Sequence, residues 1–322
     1  MTLNNIHKIF EYLEKDNQLF GPKQGKELRF SKLRSPKELD LSGKIPINSL
    51  KEVLFPASHE LYLFDDKNVF EIKYDSPKIV FFGLTIFDLK ALDFLNQVFE
   101  KDLYYQARRR EIIVIGLSYT PTKEDAADEL LKNYEEDILE HLQFDLFIDR
   151  ISKNNFKLFT GTRRGQEILE KLKIKDYEHI QFAGLIREQG IDPVAKKNRG
   201  LVSKSTGGEV WQKWGKLCLN CGKCTIACPT CYCFEGERKL KNKTKGWVNR
   251  IWSSCFYTEF GEIAGKIKFL KTSADRIWNW YNHKHVRNFD EFSISGCVGC
   301  GRCDRVCPAN IKRLEVLKSL EK

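Results

Sequence analysis

The chain has 322 residues, 42% hydrophobic and 30% charged, a globular composition without low-complexity tracts and a length above that of the usual single domain. Its longest apolar runs, "IVFFGL" and "IIVIGL", fall far short of the roughly 18 residues of a membrane span, and "MTLNNIHKIFEYLEKD" lacks the apolar stretch of a secretory signal, so a cytoplasmic protein is expected. The net charge of +10 suits an acidic or nucleic-acid partner, but apart from groups such as "ARRR" (107–110) the basic residues are scattered and read as a solvated surface.

Leu3, Ile6, Ile9, Phe10 and Leu13 recur at helical spacing and predict a first helix within residues 2–19. "LYLF" (61–64), "NVFEIKY" (68–74) and "KIVFFGL" (78–84) predict strands, and Leu89, Leu92, Leu95 and Phe99 predict a helix after them. "EIIVIGLSY" (111–119) reads as a buried strand, "FDLFID" and "NFKLFT" as two weaker ones, with helical "DAADELL" and "GQEILEKL" among them. The mixture predicts an α+β (mixed) fold that begins with a sheet-and-helix domain. That half has no G-x-G-x-x-G and no phosphate loop; "GTRRG" (161–165) reads as a turn, and His59, His141 and His179 stand alone.

"KKNRGLVSKSTGGEVW" (196–211) is basic and Gly/Ser-rich and reads as a linker. Composition changes there: all eleven cysteines lie between 218 and 307, and all six tryptophans between Trp211 and Trp280. We therefore expect two domains, 1–205 and 206–322, the second mainly helical and ferredoxin-like.

Cys218, Cys221, Cys224 and Cys228, followed by Pro229, spell C-x2-C-x2-C-x3-C-P, and Cys297, Cys300, Cys303 and Cys307, followed by Pro308, spell it again. This is the bacterial ferredoxin pattern for 4Fe–4S clusters. Three thiols at intervals of three wrap one cuboidal cluster, glycines such as Gly222, Gly299 and Gly301 permit close backbone approach, and the fourth thiol reaches the other cluster. The expected ligand sets are therefore crossed: Cys218, Cys221, Cys224 and Cys307 for one cluster, Cys297, Cys300, Cys303 and Cys228 for the other. Zinc ribbons use separated C-x2-C pairs and fit the two intact runs poorly. Two fully thiolate-ligated clusters leave no iron open to substrate, which points to electron transfer rather than to a catalytic residue in this chain.

Cys231, Cys233 and Cys255 remain. The simpler reading makes them small buried side chains beside the clusters. The disfavoured alternative makes them additional ligands of a third cluster, completed by His283, His285 or solvent.

The motifs "CGKCTIACPTCYCF", "RIWSSCFYTEFGEIAG" and "GCVGCGRCDRVCPANI", with 68 residues between Cys228 and Cys297, resemble the β subunits of cytoplasmic NiFe sulfhydrogenases and a related chain of anaerobic sulfite reductase. "NHKH" (282–285) resembles a His-Lys stretch of that family, and weaker echoes, including "LFPASHELYLF", extend over most of the chain. The resemblance implies a hetero-oligomer in which this chain carries electrons between a flavin subunit that reacts with NAD(P)H and a hydrogenase small subunit, or between sulfite reductase subunits. Flavin and nickel would sit in those other chains. Many relatives have Arg-Pro-Cys-Asp where this chain reads Thr85-Ile86-Phe87-Asp88, and further cysteines where it reads "SYTPTKEDAADEL", so a cluster held there in relatives would be missing here. Two alternatives of other classes are a sulfite or polysulfide reductase subunit with an open-iron cluster and a nucleic-acid-binding protein with structural clusters. The second lacks any basic-aromatic recognition motif.

Overall fold

The computed structural model describes residues 1–71, 78–121, 136–185 and 193–321. Its strands are β1 (Gln18–Lys23), β2 (Arg29–Lys32), β3 (Ser58–Phe64), β4 (Val69–Glu71), β5 (Ile79–Leu84), β6 (Ile113–Leu117), β7 (Leu146–Arg150), β8 (Phe156–Thr160), β9 (Glu178–His179), β10 (Phe234–Leu240), β11 (Gly246–Trp252), β12 (Glu262–Ile263) and β13 (Ile267–Lys268). Seven of them form one sheet in the order β2-β1-β5-β6-β7-β8-β9. β1, β5, β6 and β7 run parallel, with antiparallel pairs at β1–β2 and β7–β8.

The apolar runs noted in the sequence are the centre of this sheet, where both faces are covered. Along β5 the side chains alternate: Ile79 and Phe81 enter one core, Val80 and Phe82 the other. The helix Leu3–Leu13 closes the second core with Ile6, Ile9, Phe10 and Leu13, as its spacing predicted. The helix Ile86–Val98 covers the first. β5 ends in a bulge at Gly83, whose φ of 77° favours glycine, and the chain turns there into Thr85 and that helix. The mixed α+β class is thus observed. The predicted helix "DAADELL", the end of "NVFEIKY" and most of "SYTPTKEDAADEL" lie outside the described residues.

The linker reading is corrected. Residues Pro193–Lys204 form a helix, and after a turn at Gly207 (φ 75°) a second helix covers Glu209–Leu217. Val202, Trp211 and Trp214 share a core with Ile277, Trp280 and Tyr281, so apolar anchors override the basic, glycine-bearing composition. The strands of the second half were also not foreseen. β10 and β11 form a hairpin, and β11 pairs with β3 in a four-stranded sheet β10-β11-β3-β4. That sheet joins residues from both sides of position 205. The C-terminal helix Arg313–Ser319 places Val316 and Leu317 in the Trp211–Trp280 core.

Buried on the helix Ile86–Val98, Asp93 accepts only a long bond from the Gln143 N–H (3.4 Å), and its other oxygen is buried without a partner among the described residues. Burial pushes its pKa up to about 8, against smaller opposing effects of the Gln143 amide and Arg109. The native state therefore keeps a proton that the unfolded chain releases near pH 4, and this contribution to stability declines between about pH 4 and pH 8, at about 1.4 kcal/mol per unit. Denaturant unfolding across that range is expected to fall less steeply with pH for Asp93→Asn than for the wild type; equal slopes would contradict the assignment.

Candidate iron–sulfur centres

The two cysteine runs follow the same backbone course. In the first, Asn220 (φ 50°) and Gly222 (φ 70°) lead into a short helix, Lys223–Ala227, that ends at extended Cys228. In the second, Gly299 (φ 81°) and Gly301 (φ 68°) lead into Arg302–Val306, which ends at extended Cys307. Each positive-φ residue sits at the same offset from its first cysteine, and the two short helices pack on each other. A Cβ on Gly222 would overlap Tyr257 Cε1 at 2.6 Å and Ser254 Oγ at 2.9 Å, so "SSCFY" presses against the first run. A Cβ on Gly301 would meet nothing within 4 Å, because that residue faces a cavity.

Two cavities lie among these loops. One is lined by Cys218, Cys221, Cys224, Cys303 and Cys307, with apolar walls from Phe256, Ile277, Trp280 and Tyr281. The other is lined by Cys228, Cys297, Cys300 and Cys303, with Lys284 beside them. The second cavity receives three thiols of the second run and the terminal thiol of the first, and the first cavity receives three thiols of the first run with both Cys303 and Cys307 of the second. Cys303, Trp280 and Arg313 border both, so the cavities are neighbours. Among the described residues no three His, Cys, Asp or Glu side chains converge on a point that could hold one ion; the thiols stand around spaces instead. Donor chemistry, open volume and a glycine-lined wall fit a multi-iron inorganic core.

Burial raises the pKa of Cys224, Cys297, Cys300 and Cys303, and neighbouring thiols add to the effect at each. Four thiols crowded out of water resist ionising together; a cationic core would supply the compensating charge. Cys228 is the exception, held well below the ordinary thiol range by a hydrogen bond from Cys231, with Lys284, Thr230 and Lys51 assisting against burial.

The leftover thiols adjoin these ligands in pairs. Cys231 partners Cys228, and its own pKa rises well above the ordinary value as a result. Cys233 partners Cys255, a bond that pulls Cys233 down to about 7 and pushes Cys255 far up. The backbone fixes this second pair, since Ser253 N donates to Cys233 O at 3.0 Å. Neither histidine joins them. His283 Nε2 lies 3.0 Å from the Tyr232 hydroxyl, and His285 is buried on the Tyr281 ring; burial lowers their pKa values to about 4 and about 3. His141 and His179 make local hydrogen bonds, to Gly184 O and Thr160 Oγ1.

Sequence reasoning missed the cations. Lys51 and Lys284 are both buried. Lys51 Nζ donates to Thr225 O at 3.1 Å and stands 4.2 Å over the Trp252 ring. Lys284 Nζ donates to Thr230 Oγ1 at 2.7 Å. Burial opposes the charge on Lys284, but the sulfurs of Cys228, Cys231 and Cys297 outweigh it and hold its pKa above the usual lysine value. "NHKH" carried a family echo but no chemical signal; Lys51 carried neither.

A third cation anchors the second run to the large sheet. Arg302, fully buried, forks onto Asp88 with Nη1–Oδ1 at 2.8 Å and Nη2–Oδ2 at 3.0 Å, while its Nε donates to Pro46 O at 2.8 Å. Thr85 Oγ1 donates to the same carboxylate at 3.0 Å, and Arg305 Nη1 reaches Ile45 O at 2.9 Å. Phe87, where the resemblance leads one to expect a cysteine, is fully buried with its ring edge-on to Tyr119 at 5.0 Å.

Comparison with known proteins agrees with this geometry. Residues 217–311 match the family model described as a 4Fe-4S dicluster domain. The chain is 27% identical to Sulfhydrogenase 2 subunit beta of Pyrococcus furiosus over 323 aligned positions, covering 96% of this chain and 94% of the relative. It is thus similar over nearly its whole length to a sulfhydrogenase β subunit. The similarity and the dicluster domain together support an iron–sulfur electron-transfer subunit. No solved structure matches the chain. Among the described residues no helix is long and apolar enough to cross a membrane.

Proposed function

We propose that this chain is the internal relay of a cytoplasmic hetero-oligomer, passing electrons between a flavin subunit that reacts with NAD(P)H and a NiFe hydrogenase small subunit, with flavin and nickel held by those partners. Two 4Fe–4S clusters would be bound, one by Cys218, Cys221, Cys224 and Cys307, the other by Cys297, Cys300, Cys303 and Cys228. The observation that carries this reading is the pair of adjoining cavities, each lined by thiols of both runs: Cys218, Cys221 and Cys224 with Cys307 and the shared Cys303 in one, Cys297, Cys300 and Cys303 with Cys228 in the other. When bound, each cluster supplies a reversible one-electron step somewhere within about −700 to +450 mV. The chain's own contribution is to hold the thiolates, to exclude water with Phe256, Trp280 and Tyr281, and to keep the two sites side by side. Residues 1–205 act in this reading as the scaffold on which the dicluster half, 206–322, is mounted through Arg302 and Arg305.

The deciding measurement is anaerobic iron and sulfide quantitation with EPR of the dithionite-reduced protein. About eight irons with matching sulfide and two interacting paramagnets are expected. Zinc without sulfide would overturn the reading. Substantially more iron, with a signal lost in Cys255→Ser, would replace it with the reductase alternative and a third cluster on Cys231, Cys233 and Cys255.

A further inference from the structure

The cavity of the second ligand set holds a feature that the first lacks. A π-helical turn, His283–Arg287, continues the helix Ser273–Asn282 and buries Lys284 and His285. Such turns are rare and recur at functional positions. The Lys284 ammonium is fixed from several directions. It donates to Thr230 Oγ1, which lies 3.3 Å from Cys228 Sγ and itself donates to Gly296 O at 2.5 Å, immediately before Cys297. The Lys284 carbonyl accepts the Gly296 N–H at 2.8 Å. One lysine is thus tied to both segments that deliver thiols to this site.

Among the described residues no carboxylate pairs with this ammonium, so its counter-charge is the thiolate set. The other cations nearby act differently. Arg302 is shared between Asp88 and Cys300, Arg313 borders both cavities, and Lys51 is held by Thr225 O and the Trp252 ring outside either lining. Lys284 borders the second cavity alone.

We infer that Lys284 is a potential-setting residue, which selectively raises the reduction potential of the centre at Cys228, Cys297, Cys300 and Cys303. The inference rests on the relay reading above. Reduction adds one electron, forms and breaks no bond, and increases negative charge at the site, so a fixed cation favours the reduced state. Cys228 is buried, whereas Cys221 of the other set is exposed, and burial alone makes added charge harder to accept. The ammonium offsets that penalty and keeps the buried centre within electron-transfer reach of the exposed one.

The test is an EPR-monitored redox titration of the full, iron-loaded chain as wild type, Lys284→Met and Lys284→Arg. The Cys228→Ala variant, which leaves the first centre alone, assigns the signals. In Lys284→Met the midpoint of the second centre is expected to fall, with the first midpoint and the iron and sulfide contents unchanged, and Lys284→Arg is expected to restore it. Unmoved midpoints, an equal fall of both, or an arginine variant as low as the methionine one would overturn the inference. Should Lys284→Met lose iron, Thr230→Val keeps the lysine but removes its anchoring hydroxyl. A smaller fall of the same midpoint is then expected, and no movement overturns the assignment. Wild-type protein without iron and sulfide would instead refute the relay reading itself.

Discussion

Replacing Arg302 with methionine is expected to destabilise the protein by about 3–5 kcal/mol, the range measured when one partner of a buried ion pair is removed. The side chains of Arg302 and Asp88 are 0% and 3% exposed, so the orphaned carboxylate would be left in a medium that cannot hydrate it. Pro46 O would also lose its donor, and the bond from Thr85 Oγ1 would be the carboxylate's main remaining side-chain support. Arg302→Lys keeps the charge but cannot reproduce the two-pronged contact, and an intermediate loss is expected. Removing both partners, in Asp88→Leu with Arg302→Met, should recover part of the deficit, because no buried charge is then uncompensated. Guanidinium unfolding midpoints of the four proteins would measure this. A loss below about 1 kcal/mol for Arg302→Met would show the pair to be no anchor.

The second large effect concerns which thiols share a centre. Cys228→Ala and Cys300→Ala are each expected to remove about four of eight irons, but single variants cannot distinguish crossed from local ligation, since both schemes lose one cluster per thiol. The double variant can. If Cys228 and Cys300 serve the same centre, as their shared cavity implies, Cys228→Ala with Cys300→Ala retains about four irons and an isolated paramagnet. If each run holds its own cluster, the double variant retains none.

How much could be read from the residues depended on whether the deciding interaction was local. β5 and β6 were plain because a central parallel strand is apolar on both faces, and the helix Leu3–Leu13 because its four buried residues repeat at 3.6. The cysteine runs were plainer still, since cluster geometry dictates their spacing. β10 was hidden because it is almost wholly exposed, so "FEGERKL" carries no alternation. The helix Pro193–Lys204 was masked by its lysines and Gly200, although Val202 is completely buried. Lys51, Lys284 and Arg302 look like any surface cation in one dimension. Their partners are Thr225, Thr230 and Asp88, all of them far away in the chain, and none advertises a charge bond by pattern.

The pairing of β3 with β11 has a consequence for the newborn polypeptide. Phe64 must find Gly246, and at typical translation speeds roughly 10–40 s pass between the appearance of the one and of the other at the ribosome. For that interval β3 presents a row of unclaimed amides and carbonyls to a crowded cell, bearing Leu61 and Leu63 on a strand that can pair with a neighbouring copy as readily as with its own future hairpin. Yield in a foreign host is therefore governed by what shields that edge during synthesis, and a slowed ribosome would lengthen the exposure rather than help.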